Sequence, residues 1–103
     1  MASGGAKRIS GVVAGTGSAL DVLTVGFRPR GVKLWNVTGN CLASWVDPMP
    51  DAAMQKVVDS GAGTSDVFYV TSNGITPLAN GFRLGADTDL NVAAEVVYYE
   101  CVD

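Results

Sequence analysis

The sequence predicts an all-β domain: a single-domain antiparallel β-sandwich or jelly-roll-like barrel with an extended N-terminal arm. Three observations lead there. The chain has 103 residues, which suits one domain. It breaks into roughly seven or eight short β-branched or aromatic runs, with turn signals about every 8–12 residues. No long helical period runs through it, and its 13 glycines would each cost about 1 kcal/mol relative to alanine inside a helix.

Taken in order, residues 1–18 are dominated by Gly, Ala and Ser and read as a flexible arm, with the β body over 19–103. Ile9, Val12 and Val13 give the arm something to bury against a neighbour. With Lys7 and Arg8 they are candidate interface residues. Deleting residues 2–17 is therefore expected to weaken attachment more than folding. Leu20 to Phe27 reads as a strand, and Arg28-Pro29-Arg30-Gly31 as a tight connection. Val32 to Thr38 alternates like a strand with one mixed face, Gly39-Asn40 is a turn signal, and Cys41 to Val46 is a further strand. Pro48 and Pro50 exclude residues 47–51 from a sheet interior. Ala52 to Asp59 suits a strand more than a helix, residues 60–65 a loop, and Asp66 to Ser72 a strand. Asn73-Gly74 is the strongest hairpin-turn signal, with Ile75 to Leu78 extended at an edge. Val92 to Val102 is apolar enough to suggest a strand covered on both faces.

Composition narrows the function. Apolar residues make up 48% and charged residues 17%, against roughly 25% charged in an ordinary soluble domain. That is more apolar surface than one small core needs, which suggests cover by other subunits. A net charge of −3 opposes nucleic-acid binding, and no apolar run approaches the ~20 residues of a membrane helix. Cys41 and Cys101 form no disulfide framework, and the chain shows no signal-peptide pattern. Both thiols are expected free, in a protein made in a cytoplasm.

Histidine is absent, which removes the commonest general base and metal ligand. Neither cysteine has zinc-like spacing, no serine lies in a G-x-S-x-G elbow, and no complete dinucleotide or Walker loop is present. No catalytic residue and no cofactor are expected. Asp87-Thr88-Asp89-Leu90-Asn91 places three oxygen-bearing side chains at alternate positions, like the opening of a calcium loop. However, Val92 stands where that loop needs glycine, and Tyr98 where it needs an acid. The simpler expectation is that Asp87 and Asp89 close a turn with Gly85 while Asn91 caps the start of the final strand.

The repeated Gly-Phe-Arg at 26–28 and 81–83 reads as framework, each ring buried at a strand end. Trp35 and Trp45, with the Phe and Tyr residues, suit core, subunit interface or ligand stacking. Arg28 and Arg30 suit either intersubunit carboxylate pairs or a solvated loop.

Several separated segments carry a resemblance: GTGSALDVLTVGFRPRGVKLWNV, W-x-D-x-M-P-D at 45–51, SNGITPL at 72–78 and GFRLGADTDLNVAAEVVYY at 81–99. Together they resemble small capsid decoration, or cement, proteins of tailed bacteriophages. The resemblance implies a β body that forms a homotrimer on the outer surface of the head. Its partners would be the major capsid protein and further copies of itself, and it would reinforce contacts between capsid subunits. It implies no residue roles. Two rivals are a tail-fibre or tail-associated receptor-binding module and a sugar- or calcium-binding β-sandwich using Asp87 and Asp89.

Overall fold

In a computed structural model the chain is all-β, and the structure describes residues 7–59 and 63–103. The strands are β1 (Arg8–Ala14), β2 (Leu20–Val22), β3 (Gly31–Asn36), β4 (Cys41–Val46), β5 (Ala53–Asp59), β6 (Ser65–Leu78), β7 (Gly81–Leu84) and β8 (Val96–Val102). They form one antiparallel sheet in the order β1-β8-β3-β4-β5-β6-β7-β2, curled into a nearly closed barrel. β3 to β7 form a meander of successive hairpins. β8 then returns across the barrel end to pair with β3 on one side and β1 on the other.

Closure comes from the N-terminal segment. β1 and β2 are the two edges of the sheet yet lie next to each other in sequence, joined only by residues 15–19. This segment pairs first with β8 and then crosses to β7. The crossing is fixed by Asn91, whose amide is fully used. Its Oδ1 accepts from the Thr16 and Gly17 N–H groups, and its Nδ2 donates to the Ser18 and Gly85 carbonyls. Where β7 meets β2 the backbones approach so closely that a Cβ on Gly81 would run into the Val22 carbonyl.

Inward residues of alternate positions fill the barrel: Val32 and Leu34, Ala43 and Trp45, Met54, Ile75, Phe82 and Leu84, and Val97, Tyr99 and Cys101. Phe82 and Tyr99 come from strands that are not neighbours and meet edge to face, with ring centroids 5.5 Å apart. Leu90, fully buried, lies in the 85–95 connection that crosses the barrel end. Its carbonyl accepts a hydrogen bond from Asn36 Nδ2.

Four expectations are corrected. The described part of the N-terminal arm is largely strand: β1 pairs with β8 over its whole length, and Ile9 and Val13 pack against the core. Residues 1–6 lie outside the described residues. Deleting residues 2–17 would thus remove a strand of the barrel. The 20–27 strand ends at Val22, because Gly26 takes a φ of 90° and its N–H leaves the ladder for the Asn80 carbonyl. Asn73-Gly74 is not a hairpin turn. β6 continues through it, and the register jumps from Met54↔Val70 to Ala53↔Ile75, so residues 71–74 form a bulge. Asn73 takes the left-handed conformation there (φ 58°), and a Cβ on Gly74 would strike the Ala52–Ala53 backbone. Ile75 to Leu78 pairs with β7, and since only Ile75 also meets β5, Thr76 to Leu78 keep the expected edge position. Finally, β8 begins at Val96 and is covered on one face only, with Val97, Tyr99 and Cys101 turned inward and buried and Val96, Tyr98 and Val102 exposed.

Candidate functional site

The exposed face of β8 belongs to a larger pattern. Cross-strand pairing places Val12, Tyr98, Trp35, Leu42, Val57 and Val67 directly opposite one another across β1, β8, β3, β4, β5 and β6. All six lie on the outer face, in one continuous row. Val12 is 58% exposed, Val67 61%, and Tyr98 and Leu42 48% each, while Trp35 and Val57 are half-buried by their neighbours. The alternation that turns Leu34, Ala43 and Val97 inward sends this set outward. An inward residue followed by an equally apolar outward one is what makes the strands read as doubly covered.

Beside the apolar row runs a polar one: Ser10, Glu100, Lys33, Ser44, Gln55 and Tyr69. Arg8 reaches Glu100 with Nε at 2.9 Å and Nη2 at 2.6 Å. Val46 and Val102 add apolar area on the far side of it, next to Gly31. Three shallow depressions of about 150, 240 and 270 Å³ lie along the same β3–β4 surface. Each is smaller than the ~300–1,000 Å³ of a typical small-molecule site. Their linings carry no convergent set of catalytic groups.

The nine candidate interface residues separate on this framework. Val12 and Trp35 belong to the outer row, and Arg8 flanks it. Lys7 is exposed at the start of β1, and its carbonyl accepts the Asp103 N–H. Ile9 and Val13 face inward. Trp45 is 1% exposed and donates its indole N–H to the Pro50 carbonyl, so it is a core residue and offers no surface. Arg28 and Arg30 are exposed in the β2–β3 connection, at the same barrel end as Lys7: the Arg30 N–H donates to the Val102 carbonyl, and Arg28 Nη1 donates to the Pro77 carbonyl. Sequence reasoning missed Leu42, Val57, Val67 and Tyr98 as members of one surface. Only the strand register, which couples residues distant in sequence, reveals them.

The Asp87–Asn91 segment is held in a different way from a calcium loop. Asp87 Oδ1 accepts the N–H groups of Asp89 and Leu90, closing a turn. Asp87 Oδ2 and Asp89 Oδ2 both converge on Lys56 Nζ, at 2.8 and 2.7 Å. Lys56 points inward from β5 and lies 5.7 Å from the centroid of the Phe68 ring. The Asn91 side chain serves the N-terminal crossing, while its N–H donates to the Asp87 carbonyl. Burial alone would lower the Lys56 ammonium, but the hydrogen bonds to Asp87 and Asp89 outweigh it and raise the group above its ordinary 10.5. An ammonium occupies the position the sequence pattern offered to a cation.

Burial pushes the Cys41 thiol from 9.0 up to about 11 and the Cys101 thiol up to about 12, each assisted by a neighbouring carboxylate. A thiol raised by folding stabilises the folded state below its unfolded value and loses that contribution as pH rises toward the folded one. The raised Lys56 acts in the same direction at higher pH. Unfolding free energy should therefore hold level through neutral pH and fall above about pH 9, as read from denaturant midpoints across pH. At pH 7.5 neither thiol should react with a disulfide reagent until denaturant is added. Rapid labelling of either in the native protein would contradict the buried placement.

Compared with models of protein families, with curated proteins and with solved structures, the chain matches none.

Proposed function

We propose that the protein is a structural subunit of a bacteriophage virion, bound to the outside of the head, where it reinforces contacts between major capsid subunits. The observation that carries this reading is the apolar row on the outer face, six strands wide and flanked by charge. Contiguous exposed apolar surface on a small domain favours protein–protein contact. Aromatic anchors such as Trp35 and Tyr98, rimmed by Arg8, Lys33 and Glu100, match the composition of such contacts. The resemblance noted above supplies the choice of partner. The mechanism is mechanical: each copy buries apolar area worth about 25 cal/mol per Å², less the ordering cost of association, and many copies on a closed shell multiply a modest term. The subunit would be made in the host bacterial cytoplasm and end on the virion surface.

The test is co-sedimentation of purified protein with emptied, expanded heads. Saturable binding is expected, with Trp35→Ser and Leu42→Ser each weakening it about tenfold or more, as a central anchor does when it loses ~1.4 kcal/mol or more. Failure to bind any form of the head would end this reading and leave the tail-associated role to be tested.

A further inference from the structure

The apolar row begins and ends on unpaired strand edges. Among the described residues, β1 has a ladder partner only in β8, and the Ser65–Val70 part of β6 has one only in β5, since β7 pairs with Ile75–Leu78 alone. A long edge strand normally carries a device that blocks pairing, such as a lysine, a proline or an inward charge. Ser65–Val70 carries only Asp66, and Val67, Phe68 and Tyr69 expose apolar surface on both faces.

We propose that the β6 edge of one copy pairs, antiparallel and head to tail, with the β1 edge of a second copy, placing Val67 opposite Val12 of the next copy. Three features select this occupant. First, backbone phase matches. In an antiparallel ladder each residue turns its N–H and C=O toward one neighbouring strand only. Along a row of six strands that choice alternates at each step. Val12 and Val67 therefore present the same phase to their free edges and fit opposite each other as a ladder pair. Second, side chains match in this register. Val67 meets Val12 on the outer face, joining the two apolar rows without a break. Phe68 falls opposite Gly11, which has no side chain to oppose the ring, and Tyr69 opposite Ser10. Third, the charges on the two paired segments are one Asp66 and one Arg8, so no like charges are brought together.

A head-to-tail joint uses two different surfaces, so it closes into a ring when the rotation allows, and a trimer is such a ring. It goes beyond the head-binding reading and needs no capsid to be tested, so either can fail alone.

The experiment is light scattering of the purified full chain over a dilution series, with Val67→Lys and Val12→Lys. Both residues are well exposed, and an unchanged unfolding midpoint establishes that each variant folds. Wild-type protein should associate, and each variant alone should fall to the monomer mass of 10.6 kDa. Mixing the two variants should restore a species of twice that mass, because Val67→Lys keeps an intact β1 edge and Val12→Lys an intact β6 edge. A wild-type monomer at every concentration would overturn the proposal. So would a Val12→Lys variant that associates as wild type does, which would indicate β6 pairing with β6, or a mixture that stays monomeric. Hydrogen exchange on the wild-type chain gives a variant-free reading. Protection of residues 8–14 and 65–70 should rise together with concentration, and a rise at only one edge would refute the joint.

Discussion

Replacing Lys56 by methionine should lower the unfolding free energy by about 3–5 kcal/mol, the cost of leaving a buried charge without its partner. The methionine fills nearly the same volume, so the loss isolates the ammonium. Asp87 is the sensitive group: its side chain is 6% exposed, against 41% for Asp89, which can turn to water. Asp87 would retain two backbone donors on Oδ1, so the fold should persist with a lower midpoint. At ~4–8 °C per kcal/mol for a domain of this size, melting should drop by more than 10 °C. Adding Asp87→Asn removes the stranded charge, and the double variant should recover part of the loss. Equal stability of Lys56→Met and wild type in urea would show that the triad carries no net stabilisation.

Phe82→Ala should cost a similar 3–5 kcal/mol, as for other buried aromatic truncations, and Phe82→Leu markedly less. Phe82 is fully buried, and its ring meets Tyr99 across the barrel, not along a ladder. Truncation therefore opens a cavity and also removes the ring contact between β7 and β8. Because small domains hold only about 5–15 kcal/mol in total, a loss of this size should lower the alanine variant's melting midpoint by more than ~10 °C. Urea midpoints for the two variants test this, and a difference below 1 kcal/mol between them would show that the core collapses around the missing ring.

How far the sequence led can be judged from particular residues. Val32 and Leu34 were legible as one face of a strand because alternation marks them directly, and the all-β class followed from such runs, whereas Trp45, offered as an interface candidate, is core. The 8–14 strand was not legible, since glycine and alanine in it hide a segment whose stability comes from β8. Asn73-Gly74 misled because the same local chemistry serves a hairpin turn and a bulge, and only the partner strand decides between them. Of the expected turn with Gly85, only the Asp87 carboxylate closes a turn; the Asp89 carboxylate goes to Lys56 and the Gly85 carbonyl to Asn91. Lys56, the partner of both aspartates, was missed, because an inward lysine looks, in sequence, like any surface one. The apolar row was least legible of all: each member is an ordinary strand residue, and the signal exists only in the register.

The N-terminal crossing has a consequence for the order of events during synthesis. Arg8 and Glu100 are 92 residues apart in sequence, yet their strands are neighbours. While the ribosome is making the β3–β7 hairpins, the first strand has no partner and must wait with its backbone unpaired. The barrel can close only after β8 has emerged, and closing so long a loop places this fold among slow, non-local folders, in the millisecond-to-second range. A stalled or truncated chain lacking β8 would leave β3 with an open edge and, among the described residues, β1 with no ladder partner.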